Sequence, residues 1–301
     1  MKNGAWGGLL MLTLAAMLWG TTGTAQALSP AGLPAHWVGA LRLLFSGAFF
    51  AAYLGLVARA DLAGVRAANL PWRLLALAAA SMAVYNLSFF AGVKASSVAV
   101  GTAIALGSGP IWAGVLQLVL LRRSPSGAWW LGTLLAVAGG SLMVLGSAGE
   151  LALSGYGIGL CLVAGLPYAV YALASQRMVN TVPAPVITLF VFSGAALCAL
   201  PLAWAASGWP ATAPGGWLAV VYLGVAATGV AYLLFTHALA RVSGSTAVSM
   251  CLIEPLTAFF LAIAVLGERP PAAAYAGLAL VLLGLALVVR AELRLPARSA
   301  A

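Results

Sequence analysis

At 301 residues and 30.4 kDa the chain has the length of two ordinary soluble domains, but 63% of it is hydrophobic and only 6% charged, at a mean hydropathy of +1.07. A soluble globule draws about a quarter of its residues from the charged types, so water is excluded as the main solvent and lipid takes its place. The net charge of +9 comes without a basic cluster interleaved with aromatics, which argues against nucleic acid as a partner.

A helix needs roughly 20 apolar residues to cross the hydrocarbon core. Taken in chain order, ten such stretches appear: about 4–27, 36–58, 73–93, 96–121, 128–146, 152–175, 184–206, 214–238, 243–266 and 271–290. Pro, Gly or charge separates them, as at Ser29-Pro30, Arg59-Ala60-Asp61, Arg122-Arg123-Ser124-Pro125, Thr181-Val182-Pro183, Gly208-Trp209-Pro210 and Glu268-Arg269-Pro270. Lys2, the first apolar stretch and Ala25-Gln26-Ala27 imitate a cleavable leader; the stretch is read here as span 1. Unbroken apolar runs exclude a barrel, whose strands alternate. The expected fold is an all-α membrane protein.

Basic residues orient the spans. With the N-terminus cytoplasmic, eleven Lys and Arg fall inside (Lys2, Arg59, Arg66, Arg73, Arg122, Arg123, Arg177, Arg241, Arg290, Arg294 and Arg298). Lys94 and Arg269 fall outside, with Arg42 a turn or two within span 2. This bias places both termini in the cytoplasm and makes the span count even.

The chain also repeats itself. At an offset of 145, Pro110 meets Pro255, Pro125 meets Pro270, Gly132 meets Gly277 and Gly139 meets Gly284. At 147, Phe45-Ser46-Gly47-Ala48 meets Phe192-Ser193-Gly194-Ala195, Tyr85 meets Tyr232 and Lys94 meets Arg241. Two five-span units follow, at 1–147 and 148–301, forming one integral bundle. Five is odd, so the second unit enters from the opposite face. Inverted repeats of this kind build secondary transporters, with the substrate held near the midplane between the halves.

Ten spans, the 5+5 repeat, Trp19-Gly20, Leu252-Ile253-Glu254-Pro255-Leu256 and Leu266-Gly267-Glu268-Arg269 resemble the drug/metabolite transporter superfamily. More narrowly, the chain is similar to the EamA-type ten-helix branch and, within it, to YddG-like aromatic amino-acid exporters. The resemblance implies a multi-pass protein of a bacterial-type inner membrane. The halves differ at one point: Gly109-Pro110 stands where the second has Glu254-Pro255, and Arg122-Arg123 where it has Gly267-Glu268.

Several residues are placed to carry transport. Pro110 and Pro255 sit mid-span and free the carbonyls of Leu106 and Cys251, predicting paired hinges or packed kinks. Glu254 is the only acid read as lying well inside a span. A carboxylate there costs several kcal/mol and should face the interior, to bind an ammonium, take up a proton or tie down loosened backbone. Trp19 and Trp112 lie away from the span ends, unlike Trp37 and Trp129, which read as interface anchors. Thr102, Ala105, Gly109 and Trp112 share a face, as do Ser81, Tyr85 and Ser88. So do Tyr168 and Tyr171, and Thr228, Tyr232 and Phe235. With Thr22 they predict an aromatic, weakly polar cavity for a small-molecule substrate.

Spans 5 and 10, with their paired glycines, read as supports. Arg42 reads as snorkelling to the outer edge, and His237 as a structural hydrogen-bonder. Cys161, Cys198 and Cys251 have no metal or disulfide spacing and read as small hydrophobes. Glu268 reads as the partner of Arg269.

An intramembrane enzyme lacks its parts: neither His36 nor His237 neighbours a Glu, and Asp61 is the sole Asp. No P-loop, metal site or other cofactor motif is present. The expectation is a carrier exporting small amphipathic metabolites, above all aromatic or large neutral amino acids, by alternating access. A passive channel or an exporter of hydrophobic cations is the alternative, and the assembly is a monomer or a homodimer within membrane lipid.

Overall fold

The computed structural model describes residues 2–28, 33–95, 98–146, 155–267 and 269–294. Among them there are helices and turns and no strand. The long helices are α1 (Lys2–Ala27), α2 (Ala35–Leu56), α4 (Trp72–Ala95), α5 (Val98–Leu121), α6 (Gly127–Gly146), α7 (Gly155–Met178), α8 (Ala184–Ser207) and α13 (Ala272–Leu293); α3 (Arg59–Ala63) is a short connector. Two further stretches are broken helices. One runs α9 (Pro214–Gly224), a π segment (Val225–Val230) and α10 (Ala231–Ala238). The other is split into α11 (Gly244–Met250) and α12 (Ile253–Ala264).

Among the described residues eight stretches are long and apolar enough to cross a membrane, and Gly127–Met143 is a shorter apolar one. Several expose large hydrophobic side chains, among them Leu10, Leu56, Leu197, Leu218 and Leu282. In water such an array would be untenable; against acyl chains it is the lipid-facing surface.

Glycines decide which helices meet. A Cβ added at Gly132 would lie 2.6 Å from the Gly284 carbonyl oxygen, and one at Gly139 would lie 2.5 Å from that of Gly277. Early α6 therefore meets late α13 and the reverse, so the two run antiparallel in backbone contact. Because the sequence repeat equates Gly132 with Gly277 and Gly139 with Gly284, exchanging the halves turns one contact into the other. The α2–α8 pair is also antiparallel: Gly47 packs on Ser193, Phe50 and Phe192 stand 5.5 Å apart, and Trp37 reaches Ser207.

A third crossing lies at the level of the prolines. A Cβ at Gly20 of α1 would come within 2.7 Å of the Glu254 carbonyl oxygen, and one at Gly165 of α7 within 2.7 Å of the Gly109 nitrogen. Gly20 and Gly165 are 145 residues apart, as are Gly109 and Glu254.

The tryptophans at span ends divide. Trp209 and Trp204 are exposed as interface anchors should be. Trp37 and Trp129 are instead buried, at 3% exposure each. The Trp37 indole donates to Ser207 Oγ and the Gly208 carbonyl, fastening α2 to the end of α8. Trp129 packs where Gly114 of α5 leaves room for it.

Candidate functional site

The two proline-bearing spans differ. α5 continues through Pro110, whereas the second stops at Met250 and restarts at Ile253. The carbonyl of Cys251, expected to be freed by Pro255, accepts the Glu254 amide proton at 2.8 Å. The backbone thus closes a tighter turn in place of the lost helical bond, and Glu254 stands in the first turn of α12. Pro255 also lines a small apolar crevice with Leu106 and Gly107 of α5 and Val137 and Gly140 of α6.

Around this break the predicted aromatics gather. Trp19 lies 4.9 Å from Tyr232 and 5.7 Å from Phe235 (ring centroids). Tyr232 meets Phe192 at 4.6 Å and Tyr171 at 5.8 Å. Tyr168 continues the chain to Tyr85 at 5.3 Å, and its hydroxyl is 3.2 Å from Cys251 Sγ, in the break itself. Trp19, Tyr85, Tyr168, Tyr171 and Tyr232, contributed by four spans, thereby form one connected cluster. Each ring pair contributes about 0.5–1.5 kcal/mol beyond its buried area. Trp19 Nε1 is buried there with no hydrogen-bond partner, an unused donor beside the rings.

The other predicted residues lie differently. Trp112 donates its indole proton to the Leu162 carbonyl at 3.1 Å, strapping α5 to α7. Ser88 turns its hydroxyl onto the Val84 carbonyl of its own helix. Thr22 and Thr102 are partly buried and outside the ring cluster. Neighbouring Thr21 makes the cross-span contact, 2.6 Å from the Tyr222 hydroxyl. His237 donates Nδ1–H to the Leu233 carbonyl, a local structural bond. Cys161 and Cys251 are buried and Cys198 is exposed; all three are free thiols. Among the described residues no His, Cys, Asp or Glu cluster could hold a metal ion. Glu268 lies outside the described residues.

Arg42 departs from the expectation. Its Nε donates to Thr228 Oγ1 at 3.1 Å, and Thr228 in turn donates to the Leu223 carbonyl at 2.7 Å. Thr228 sits in the π segment, whose extra residue per turn leaves backbone carbonyls free for a hydroxyl and often marks a functional site. The arginine therefore points inward, onto the segment that leads one turn later to Tyr232. Gly224 and Gly229, packed on Phe45 and Phe49, draw the π segment close enough for that bond.

A second polar centre seals one end of the bundle. Glu292 of α13, 7% exposed, accepts from the Ser243 amide, the Ser243 hydroxyl and the Thr246 hydroxyl at 2.6–2.7 Å. Ser245 donates to Gln117 of α5 at 2.6 Å, and Gln176 of α7 donates to the Val242 carbonyl at 2.8 Å. Three helices thus clasp the start of α11. This acid was missed because it stands just past the apolar stretch, where charge reads as a solvated tail.

Comparison with known proteins agrees with this architecture. The model of the EamA-like transporter family matches the chain twice, over residues 6–145 and 155–290. The chain belongs to the EamA-like transporter family. It is 39% identical over 280 residues to the Uncharacterized transporter YwfM of Bacillus subtilis (strain 168), covering 93% of this chain and 92% of that one. A solved crystal structure of 24% identity shares the fold, with a TM-score of 0.78 over 93% of this chain and 95% of that chain. The molecule is a multi-pass membrane transporter.

Proposed function

We propose that this EamA-like transporter exports amino acids, aromatic and large neutral ones above all, by alternating access. In this reading the ten helical stretches all span a bacterial inner membrane, with both termini cytoplasmic. Segments 1–147 and 148–301 are inverted five-helix repeats, and their interface holds the cargo. The protein acts as a monomer or homodimer without a cofactor, in the manner of the YddG-like exporters it resembles.

One observation carries the cargo assignment: the connected cluster of Trp19, Tyr85, Tyr168, Tyr171 and Tyr232 beside a broken span that bears Glu254. Aromatic walls stack on planar side chains, and their faces attract an ammonium. Discontinuous helices beside a midplane site are the usual means by which secondary transporters bind charged groups. The antiparallel, exchangeable contacts of α6 with α13 support the inverted repeat. The charge bias of eleven to two supports the orientation. In that orientation the Glu292 clasp closes the cytoplasmic end.

The test is flux in proteoliposomes of the purified protein, screening amino acids, hydrophobic cations and sugar phosphates. Saturable movement of phenylalanine or tryptophan supports the assignment. Movement of sugar phosphates or of organic cations, with no amino acid carried, sinks it.

A further inference from the structure

We infer that Arg42 and Glu254 are the two ends of a zwitterion site, the arginine taking the cargo's carboxylate and the glutamate its ammonium. This deepens the proposed function and rests on it, since it presumes that cargo occupies the interface between the halves.

Three observations converge. First, Arg42 is an internal cation held by one bond, from Nε to Thr228 Oγ1. A guanidinium offers five donors in a fixed fork, and the outer pair matches a carboxylate bidentately once Nε is anchored elsewhere. The Thr228 hydroxyl, itself committed to Leu223, sets the orientation of that fork. Second, the opposite charge is close without closing the gap. Contacts from Gly20 to the Glu254 backbone, from Trp19 to Tyr232 and from Arg42 to Thr228, one turn before Tyr232, bring Arg42 and Glu254 to one region, yet they form no salt bridge. Two unlike charges in a low-dielectric interior would normally collapse into contact; here Gly20 pins the Glu254 backbone to α1 while Thr228 retains Arg42. Third, an unused donor lies close by in the fold: Trp19, next to Gly20, has a buried Nε1 without a partner and stacks on Tyr232. Tyr232 follows Thr228 by four residues, one helical turn on.

A zwitterion fits these features together. Its carboxylate satisfies the guanidinium fork and the orphan indole proton, its ammonium satisfies Glu254, and its side chain meets the rings. A simple amine leaves Arg42 uncompensated; a simple acid does the same to Glu254. Discrimination then arises from the penalty of leaving a buried charge unpaired, which exceeds what the rings contribute.

The experiment uses the full chain in proteoliposomes loaded with unlabelled phenylalanine, following uptake of labelled phenylalanine. The competitors are phenylalaninamide, which lacks the carboxylate, and 3-phenylpropionate, which lacks the amine. Wild-type protein is expected to prefer phenylalanine to either competitor by about tenfold or more, the equivalent of one charge-assisted hydrogen bond. Arg42→Gln should weaken phenylalanine by about tenfold or more while leaving phenylalaninamide competition within about twofold, with Arg42→Lys intermediate. Glu254→Gln should do the converse, sparing 3-phenylpropionate. Quenching of tryptophan fluorescence by the same three probes, in detergent, checks that each variant remains folded and reads binding without transport.

Phenylalanine uptake that survives Arg42→Gln at the wild-type level, or an equal loss for phenylalanine and phenylalaninamide, overturns the zwitterion site while amino-acid export stands. Wild-type protein that neither binds nor carries phenylalanine overturns both.

Discussion

Gly132 of α6 rests against the backbone of Gly284 in α13, and the repeat converts that contact into the one between Gly139 and Gly277. A two-site contact that maps onto itself fixes both the register and the antiparallel direction of the pair, as an isologous interface does between subunits. In the proposed alternating access, these helices would form the scaffold against which the broken spans move.

Bulk at that contact should loosen the scaffold. Gly132→Ala puts a methyl 2.6 Å from a carbonyl oxygen, and backbone cannot step aside as a flexible side chain would. Overpacking of this kind costs about 1–3 kcal/mol. Thermal unfolding followed by fluorescence-detected size exclusion should fall by several degrees for Gly132→Ala. Gly159→Ala, where a Cβ meets nothing within 4 Å, should unfold as the wild type does.

The orientation is checked by thiol labelling in a background without the three native cysteines. A thiol at Trp209, 83% exposed, should react with a membrane-impermeant reagent in intact cells. A thiol at Arg66 should react only after permeabilisation. Reaction at Arg66 in intact cells inverts the topology.

The prolines should not be equivalent. Pro255 accompanies a broken helix and Pro110 a continuous one, so Pro255→Ala should heal the break and resist the tilt of α12. Proline inside a helix costs about 3 kcal/mol, and each 1.4 kcal/mol added to a barrier slows a step about tenfold. Flux is therefore expected to fall by about tenfold or more in Pro255→Ala and by less in Pro110→Ala. Equal rates in both would reduce Pro255 to packing.

Much of this architecture was legible from periodicity and punctuation. Where the described residues reach the ends, the helical stretches read from the sequence agree with the structure to within three residues, because Pro, Gly and charge stop a helix where lipid ends; the starts read at 96 and 152 lie outside the described residues. The glycine pairs were legible as repeats, though not as partners. What lay hidden depended on inward direction. Arg42 looks like a snorkelling residue because depth along a helix is readable and facing is not; only Thr228, 186 residues away, shows which way it turns. Trp112 and Trp19 share a mid-span position, yet one spends its indole proton on the Leu162 carbonyl while the other keeps it unused. The asymmetry between Gly109-Pro110 and Glu254-Pro255 was visible, but its consequence, one broken helix and one continuous, needs the backbone.

The Glu292 clasp predicts a conformational bias. Its bonds to Ser243 and Thr246 are worth about 1.5–3 kcal/mol each, net of competing water, where the acceptor is charged. Glu292→Gln should open the Arg241 end more often. A thiol placed at Ala247, buried in α11, should then react several-fold faster with a small permeant reagent. An unchanged rate would make Glu292 a helix cap alone.

Alternating access itself is most directly tested by trans-acceleration of labelled phenylalanine in proteoliposomes. A carrier returns faster loaded than empty, so unlabelled phenylalanine on the far side should speed saturable uptake of the label several-fold. Uptake that rises linearly with concentration, indifferent to the far side, would describe a channel and contradict the account.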